Sequence, residues 1–203
     1  MIILFGGSFD PIHIGHLTLI QEVIKKYSPD NFVIVPAYQS IRKPNHIFDA
    51  NFRCKLINKA IMDLPKSIMT CIEISDFEIM QKRAVYTYET IEALKPDTML
   101  IGGDLNYTKW KYFNEVIDKS IHHVLIFPRN NVPVNSYSSK DIILDLPESK
   151  VSSSEIIKRL LLRKSITGLV PDSILEDIEQ KYFENSFDPS EGEIQYSLVE
   201  INS

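Results

Sequence analysis

Short apolar runs alternate with amphipathic segments along most of the chain. The runs are rich in Ile, Val, Leu and Phe and stop at Gly or Pro, which is typical of buried strands. The segments between them carry apolar residues at helical spacing, as with Leu17, Ile20 and Val23. The predicted strands are residues 2–5, 32–36, 70–74, 98–104, 123–128 and 142–146, and the predicted helices are residues 15–27, 51–64, 87–95, 110–117, 152–162 and 172–182.

This alternation predicts an α/β fold with a doubly wound parallel sheet. Strands that are apolar along their whole length are typical of parallel sheets covered by helices on both faces. In such sheets ligands bind beyond the carboxyl ends of the strands, so the loops that follow the strands are where we expect chemistry. The periodicity fades near residue 184, which predicts one domain over residues 1–184 and a C-terminal tail over residues 185–203.

Composition and charge narrow the class of protein. The chain has 203 residues, 44% of them hydrophobic and 24% charged, and its net charge of −5 disfavours broad binding to nucleic acid. Two cysteines without metal spacing favour a reducing compartment, and we predict a cytoplasmic protein. No apolar run is long enough to cross a membrane. Oligomeric state stays open, with a homo-oligomer among the alternatives.

The stretch GGSFDPIHIGH, residues 6–16, lies between the first strand and the first helix. A strand, a glycine turn and a helix start aim backbone N–H groups at an anion. The stretch matches neither the dinucleotide fingerprint nor the P-loop, and offers His13 and His16 on one helix face instead. A metal pair is the alternative, but the spacing is short for zinc and no Cys or Asp cluster completes a site. We therefore predict that the two imidazoles contact phosphate.

Lys43 follows the second strand, where a cation could contact the same phosphates. A solvated loop lysine is the alternative, and Arg42 competes for the same role. Arg53, in the next predicted helix, is either a surface residue or a contact for substrate phosphate. No motif surrounds His46, for which we expect a structural or exposed position.

Three consecutive serines, Ser152, Ser153 and Ser154, precede a predicted helix. They can cap that helix, bind phosphate through its N–H groups, or do both. Trp110 is the only tryptophan, and on pattern alone it is more typical of the core than of a ligand platform.

Several of these motifs together carry a family resemblance. GGSFDPIHIGH resembles the G-x-F-D-P-x-H-x-G-H signature of the nucleotidyltransferase superfamily. VPAYQSIRKP, YTYETI, IGGDLNYTKW and VSSSEIIKRL follow in the order typical of bacterial nicotinate-nucleotide adenylyltransferases. The resemblance implies a Rossmann-like sheet with C-terminal helices, and an enzyme that transfers the adenylyl group of ATP to nicotinate mononucleotide, releasing pyrophosphate. It implies Mg²⁺ held mainly by the ATP phosphates, with no metal-ligating residues.

The resemblance also implies roles for individual residues. His13, His16 and Lys43 are the expected catalytic residues. The expected ATP contacts are Gly6, Gly7, Ser8, Phe9, His13, His16, Gly102, Asp104, Ser152, Ser153 and Ser154. The expected contacts for the pyridine mononucleotide are Tyr86, Thr87, Trp110 and Arg129, with Trp110 stacked on the pyridine ring.

Two positions depart from the family pattern. Ile157 stands where the I-S-S-T-x-I-R motif has its arginine, with Lys158 and Arg159 as the adjacent candidates to replace it, and Val85 stands where S-Y-T has its serine. Two other functions stay open: a sibling adenylyl- or cytidylyltransferase with another acceptor such as phosphopantetheine, and a non-catalytic nucleotide sensor.

Overall fold

A computed structural model describes residues 1–41, 45–129 and 132–185 of the chain. Six strands form one sheet: β1 (Ile2–Gly7), β2 (Asn31–Pro36), β3 (Ile72–Ile74), β4 (Thr98–Gly102), β5 (His123–Phe127) and β6 (Asp141–Ile143). Their order is β3-β2-β1-β4-β5-β6, and all five pairings are parallel. All carboxyl ends therefore lie at one edge, and the order reverses beside β1, which is where such sheets bind ligands.

Eight α-helices accompany the strands in the described part of the chain: α1 (Ile14–Tyr27), α2 (Ala50–Ile61), α3 (Lys66–Met69), α4 (Phe77–Met80), α5 (Thr87–Leu94), α6 (Asp118–Ser120), α7 (Ser153–Leu161) and α8 (Asp172–Asn185). None of them is long and apolar enough to cross a membrane.

Alternate residues of the strands belong to different core clusters, so both faces of the sheet are covered. Ile3 and Phe5 of β1 pack with residues of α1, α2, α7 and α8. On the opposite face, Met99 and Ile101 of β4 pack with Ile91 of α5 and with the segment that precedes β5. This burial on both faces explains why the strands are apolar without alternation, and it confirms the predicted α/β class with C-terminal helices.

The helix predicted over residues 110–117 begins only at Phe113 and is not a regular α-helix. The chain forms a 3₁₀ turn (Tyr107–Lys109), then an extended residue at Trp110, and then one π-helical turn (Phe113–Ile117). Trp110 and Phe113 each contact the buried ring of Tyr107 edge-on, with ring centroids 6.3 and 5.6 Å away. The N–H of Phe113 donates to the carbonyl of Trp110 at 3.2 Å, which closes an isolated turn. The positive φ of 55° at Tyr112 interrupts any regular helix.

Candidate active site

The two histidines lie against each other at the start of α1, beyond the carboxyl end of the central strand β1. His13 is the extended residue that precedes the helix, and only 6% of its surface is exposed. The rings of His13 and His16 stack with centroids 3.7 Å apart and planes inclined by 27°. The backbone N–H of His13 donates to Nδ1 of His16 at 3.3 Å. The motif therefore forms a rigid pair of imidazoles at the predicted phosphate site.

Both imidazoles are neutral at pH 7. Burial lowers the pKa of His13 to about 3, and the positive charge of Arg129 adds to the shift. Burial also lowers the pKa of His16 well below its usual value, with smaller contributions from His13 and Arg129. Because Nδ1 of the neutral His16 ring accepts a hydrogen bond, its single hydrogen is on Nε2. His16 is therefore an uncharged N–H donor.

Two phenylalanine rings pack against the ring of His16. The ring of Phe9 meets it nearly edge-on at 5.1 Å, and Phe5 of β1 lies 6.1 Å away. Phe9 is buried and has a left-handed backbone with φ of 47°. The Phe9 side chain thus packs against His16, and the ATP contact expected of Phe9 stays a prediction.

The chain between β6 and α7 closes over the histidine loop. The hydroxyl of Ser153 donates to the carbonyl of Pro11 at 2.9 Å. Gly15 leaves the space in which Ser149 lies, since a Cβ at Gly15 would come within 2.2 Å of Ser149 Oγ. Two segments more than 130 residues apart therefore form one wall of the site.

The three predicted serines stand at the start of α7. Ser152 precedes the helix and its hydroxyl accepts the N–H of Glu155 at 3.2 Å, which is N-terminal capping. Ser154, in the first turn, is exposed. The capping role of Ser152 is confirmed, and phosphate binding by the three serines stays a prediction.

Arg53 ties together the loops that follow β1 and β2. Its side chain is fully buried, and its guanidinium donates to the carbonyls of Ser8, Ala37 and Tyr38 and, through Nε, to Phe48. The surface position considered for Arg53 is wrong, because its side chain is buried and donates to backbone carbonyls. Contact with substrate phosphate stays a prediction.

Asp10 and His46 complete this frame. The partly buried carboxylate of Asp10 accepts the N–H groups of Ile47 and Phe48 at 2.7 and 3.0 Å, and its removal from water raises its pKa. Nε2 of His46 lies 3.1 Å from the hydroxyl of Ser8, one of the predicted ATP contacts. His46 therefore has a defined place beside the nucleotide loop, which no motif around it indicated.

Arg129 and Asp104 meet beyond the ends of β4 and β5. Nε of Arg129 lies 3.9 Å from Oδ1 of Asp104, close enough for an ion pair. A Cβ at Gly102 would come within 2.6 Å of Asp104 Oδ1 and 2.7 Å of Arg129 Cδ, so only glycine permits this approach. After burial, the positive charge of Arg129 contributes to the lowered pKa of both His13 and His16.

Three of the four predicted pyridine contacts lie around the start of α5, and the fourth, Arg129, lies beside Asp104 instead. Tyr86 precedes the helix, and Thr87 is its first residue. Trp110 is half-buried and packs on the core cluster that contains Met99 and Ile101 of β4. Lys111, the next residue, lies over the ring of Tyr86. The structure thus brings together two motifs that are separated by more than twenty residues in the sequence.

Sequence comparison with known proteins identifies the family of this chain. The sequence profile of the cytidylyltransferase-like family matches residues 4–159. A protein from Staphylococcus haemolyticus named probable nicotinate-nucleotide adenylyltransferase is 32% identical, over 91% of this chain and 97% of its own length. One from Hydrogenobaculum with the same name is 31% identical, over 86% and 93%. The chain belongs to the nicotinate-nucleotide adenylyltransferase branch of this family.

The fold of solved adenylyltransferases agrees as well. The nicotinic acid mononucleotide adenylyltransferase of Plasmodium falciparum, solved in complex with NaAD, superposes with a TM-score of 0.72 at 18% identity, covering 92% of this chain and 96% of that one. A structure of the same enzyme in complex with APC gives a TM-score of 0.70 at 20% identity. The predicted Rossmann-like architecture is therefore confirmed.

Ile157 follows the serine triplet, where the family motif described above has an arginine. Ile157 is partly buried and packs on the core cluster that contains Ile3 and Phe5 of β1. Lys158 is exposed, and the guanidinium of Arg159 bonds to Glu155 at 3.0 Å and to the carbonyl of Ser165 at 3.2 Å. Arg159 is thus engaged on its own helix and the following turn, and it does not replace the missing arginine in this conformation.

Several contacts around the site were not predicted from the sequence. Arg53 contacts the carbonyl of Ser8, 45 residues away, and His46 contacts the hydroxyl of the same serine, 38 residues away. Ser149 occupies the space left by Gly15. The glycine of the histidine motif was the one local signal of a close approach. Lys43 and its competitor Arg42 lie outside the described residues, so the role predicted for them stays a prediction.

Proposed function

We propose that this protein transfers the adenylyl group of ATP to nicotinate mononucleotide, forming deamido-NAD and pyrophosphate. The observation that carries the proposal is the stacked pair of neutral imidazoles at the start of α1, beyond the carboxyl end of the central strand. The names of the relatives, which cover almost the whole chain, support the same reaction.

In this reaction a phosphate oxygen of the mononucleotide attacks the α-phosphorus of ATP. The new P–O bond forms as the bond between the α-phosphorus and the bridging oxygen breaks, and pyrophosphate leaves with that electron pair. Little covalent work is left to the protein, so positioning and charge stabilisation dominate. The Nε2–H of His16 donates to the phosphate oxygens whose negative charge grows in the transition state.

Neutrality of the histidines suits this role. A neutral N–H donor held rigidly needs no reorganisation when charge develops, and the stacked ring of His13 and the edge of Phe9 fix its direction. Positive charge near the pair comes from Arg129, which Gly102 and Asp104 hold at the ends of β4 and β5. The half-buried ring of Trp110 and the start of α5 would receive the pyridine ring.

Mg²⁺ enters this proposal with ATP. No group of three or more His, Cys, Asp or Glu side chains lies together in the described ranges, which fits a cation that takes its ligands from phosphate oxygens and water. When bound, Mg²⁺ neutralises part of the charge on the phosphates.

The test is to incubate the purified protein with ATP, Mg²⁺ and one acceptor at a time, and to follow pyrophosphate release. We expect turnover with nicotinate mononucleotide and little with phosphopantetheine. The reverse preference would replace the proposal with a sibling transferase. ATP binding without turnover of any acceptor would favour the nucleotide sensor, for which the apolar Ile157 is the specific observation.

A further inference from the structure

A single lysine ammonium lies among three tyrosine rings at the start of α5. Nζ of Lys111 is 4.7 Å from the ring centroid of Tyr86, 5.1 Å from that of Tyr112 and 5.9 Å from that of Tyr88. The rings also contact each other: Tyr86 stacks on Tyr88 at 6.0 Å, and Tyr88 meets Tyr112 edge-on at 4.7 Å. We call these four residues the tyrosine–lysine cluster.

The position of this cation is unusual. Tyr86 is the residue that precedes α5, so the ammonium lies near the positive end of a helix, where lysine is disfavoured. Interactions between the ammonium and the aromatic faces compensate. The result is two sources of positive potential at one point, beside flat aromatic surfaces.

Glu89 is a carboxylate within electrostatic reach of this ammonium: its pKa is lowered mainly by its hydrogen bonds to Arg83, and Lys111 adds to the shift. The oxygens of Glu89 accept from the guanidinium of Arg83 and from the N–H of Tyr86 at 2.9 Å. Within the described ranges no carboxylate lies at ion-pair distance from Lys111. The charge of Lys111 is therefore available to a ligand.

A ligand that satisfies this arrangement is an aromatic ring bearing a carboxylate. The ring would lie on the aromatic side chains, and the carboxylate would meet the ammonium in a charge-assisted hydrogen bond. We propose that Lys111 determines selectivity for an acidic over a neutral pyridine ring, and so for nicotinate over nicotinamide mononucleotide. This inference rests on the proposed function, because it takes the pyridine ring to lie between Trp110 and the start of α5.

Binding tests the inference without requiring turnover. Trp110 is the only tryptophan and directly precedes Lys111, so its fluorescence reports ligands that reach this end of the site. Nicotinate mononucleotide and nicotinamide mononucleotide are titrated separately into the wild-type protein and into Lys111→Met, which keeps the apolar stem and removes the charge. We expect the Kd for nicotinate mononucleotide to rise by about tenfold in the variant. The Kd for nicotinamide mononucleotide should stay unchanged, so the ratio of the amide Kd to the acid Kd falls by the same factor.

Two further variants sharpen the result. Lys111→Arg keeps the charge, and we expect it to keep most of the preference for the acid. Lys109→Met removes an exposed lysine from the adjacent 3₁₀ turn, and we expect wild-type selectivity. The same ratio is then measured as kcat/KM by pyrophosphate release.

The inference is overturned if the wild-type protein binds both mononucleotides equally, or if Lys111→Met weakens both by the same factor. Either result assigns Lys111 a structural role only. Failure of the proposed function looks different: the wild-type protein would bind the acid preferentially and yet release no pyrophosphate with either mononucleotide.

Discussion

The backbone N–H of His13 donates to Nδ1 of His16, one helical turn further along. This hydrogen bond determines which nitrogen of His16 carries hydrogen, because a neutral ring that accepts at Nδ1 must donate from Nε2. The first residue of the pair therefore orients the donor that the second presents. The pair acts as a unit, and its two members should respond differently to substitution.

Substitutions of His16 test the assigned donor. The amide nitrogen of Gln can occupy the place of Nε2, whereas Asn reaches only as far as Nδ1. We expect His16→Asn and His16→Ala to lower kcat on the order of 10²-fold or more, as for lost donors to a developing oxyanion, and His16→Gln to lose clearly less. Steady-state pyrophosphate release with saturating ATP measures the order of the three, and Asn outperforming Gln would contradict the assignment.

His13 makes stability depend on pH. Its pKa is about 3 in the folded protein against 6.5 as the ordinary value, so between these values the unfolded chain binds a proton that the folded chain does not. The stability that comes from a neutral ring is present above pH 6.5 and is lost as pH falls towards 3. Between pH 7.5 and 5, the free energy of unfolding measured with urea should fall by about 2 kcal/mol more in the wild type than in His13→Asn.

The control for that experiment is His122→Asn. His122 is exposed beside the start of β5, so its replacement should leave the wild-type pH dependence unchanged. Equal pH dependence in the wild type and His13→Asn would show that the ring of His13 titrates normally.

Local pattern predicted most of the sheet and the histidine pair. A strand buried on both faces must be apolar throughout, and helices that cover it must be amphipathic, so burial leaves a readable periodicity at β1, β2, β4, β5 and α1. The histidine motif is likewise contained within eleven consecutive residues. Periodicity misled at Trp110, because apolar residues three apart suit a 3₁₀ turn as well as one face of an α-helix.

Contacts between distant segments were not predictable in the same way. Arg53 bonds to backbone carbonyls, and since every residue has a carbonyl, the sequence of the acceptor loops shows no sign of the contact. The tyrosine–lysine cluster depends on Tyr112 adopting a positive φ, which a non-glycine residue seldom does. Both features follow from the assembled fold rather than from any local pattern.

Substitution of Gly15 tests the wall formed with Ser149. A Cβ at Gly15 would lie 2.2 Å from Ser149 Oγ, 2.9 Å from Ser149 Cβ and 3.1 Å from His13 Cε1. We expect Gly15→Ala to lower kcat/KM for ATP and Ser149→Gly, made in the same chain, to restore part of it, since only the tight contact with His13 then remains. A double-mutant cycle measures this coupling, and additive effects would show that the two residues act separately.

Arg53 should be needed as a guanidinium and not simply as a positive charge. A lysine ammonium is a compact donor that cannot reach the loops after β1 and β2 at once, so Arg53→Lys leaves buried carbonyls without partners. We expect a loss of about 3 kcal/mol in the free energy of unfolding, measured with urea, together with a raised KM for ATP because the Ser8 loop is released. The matched control is Arg159→Lys, whose guanidinium bonds to Glu155 at the surface of α7 and should cost at most about 1 kcal/mol. Equal stability of the two variants would mean that the buried guanidinium contributes no more than a surface ion pair.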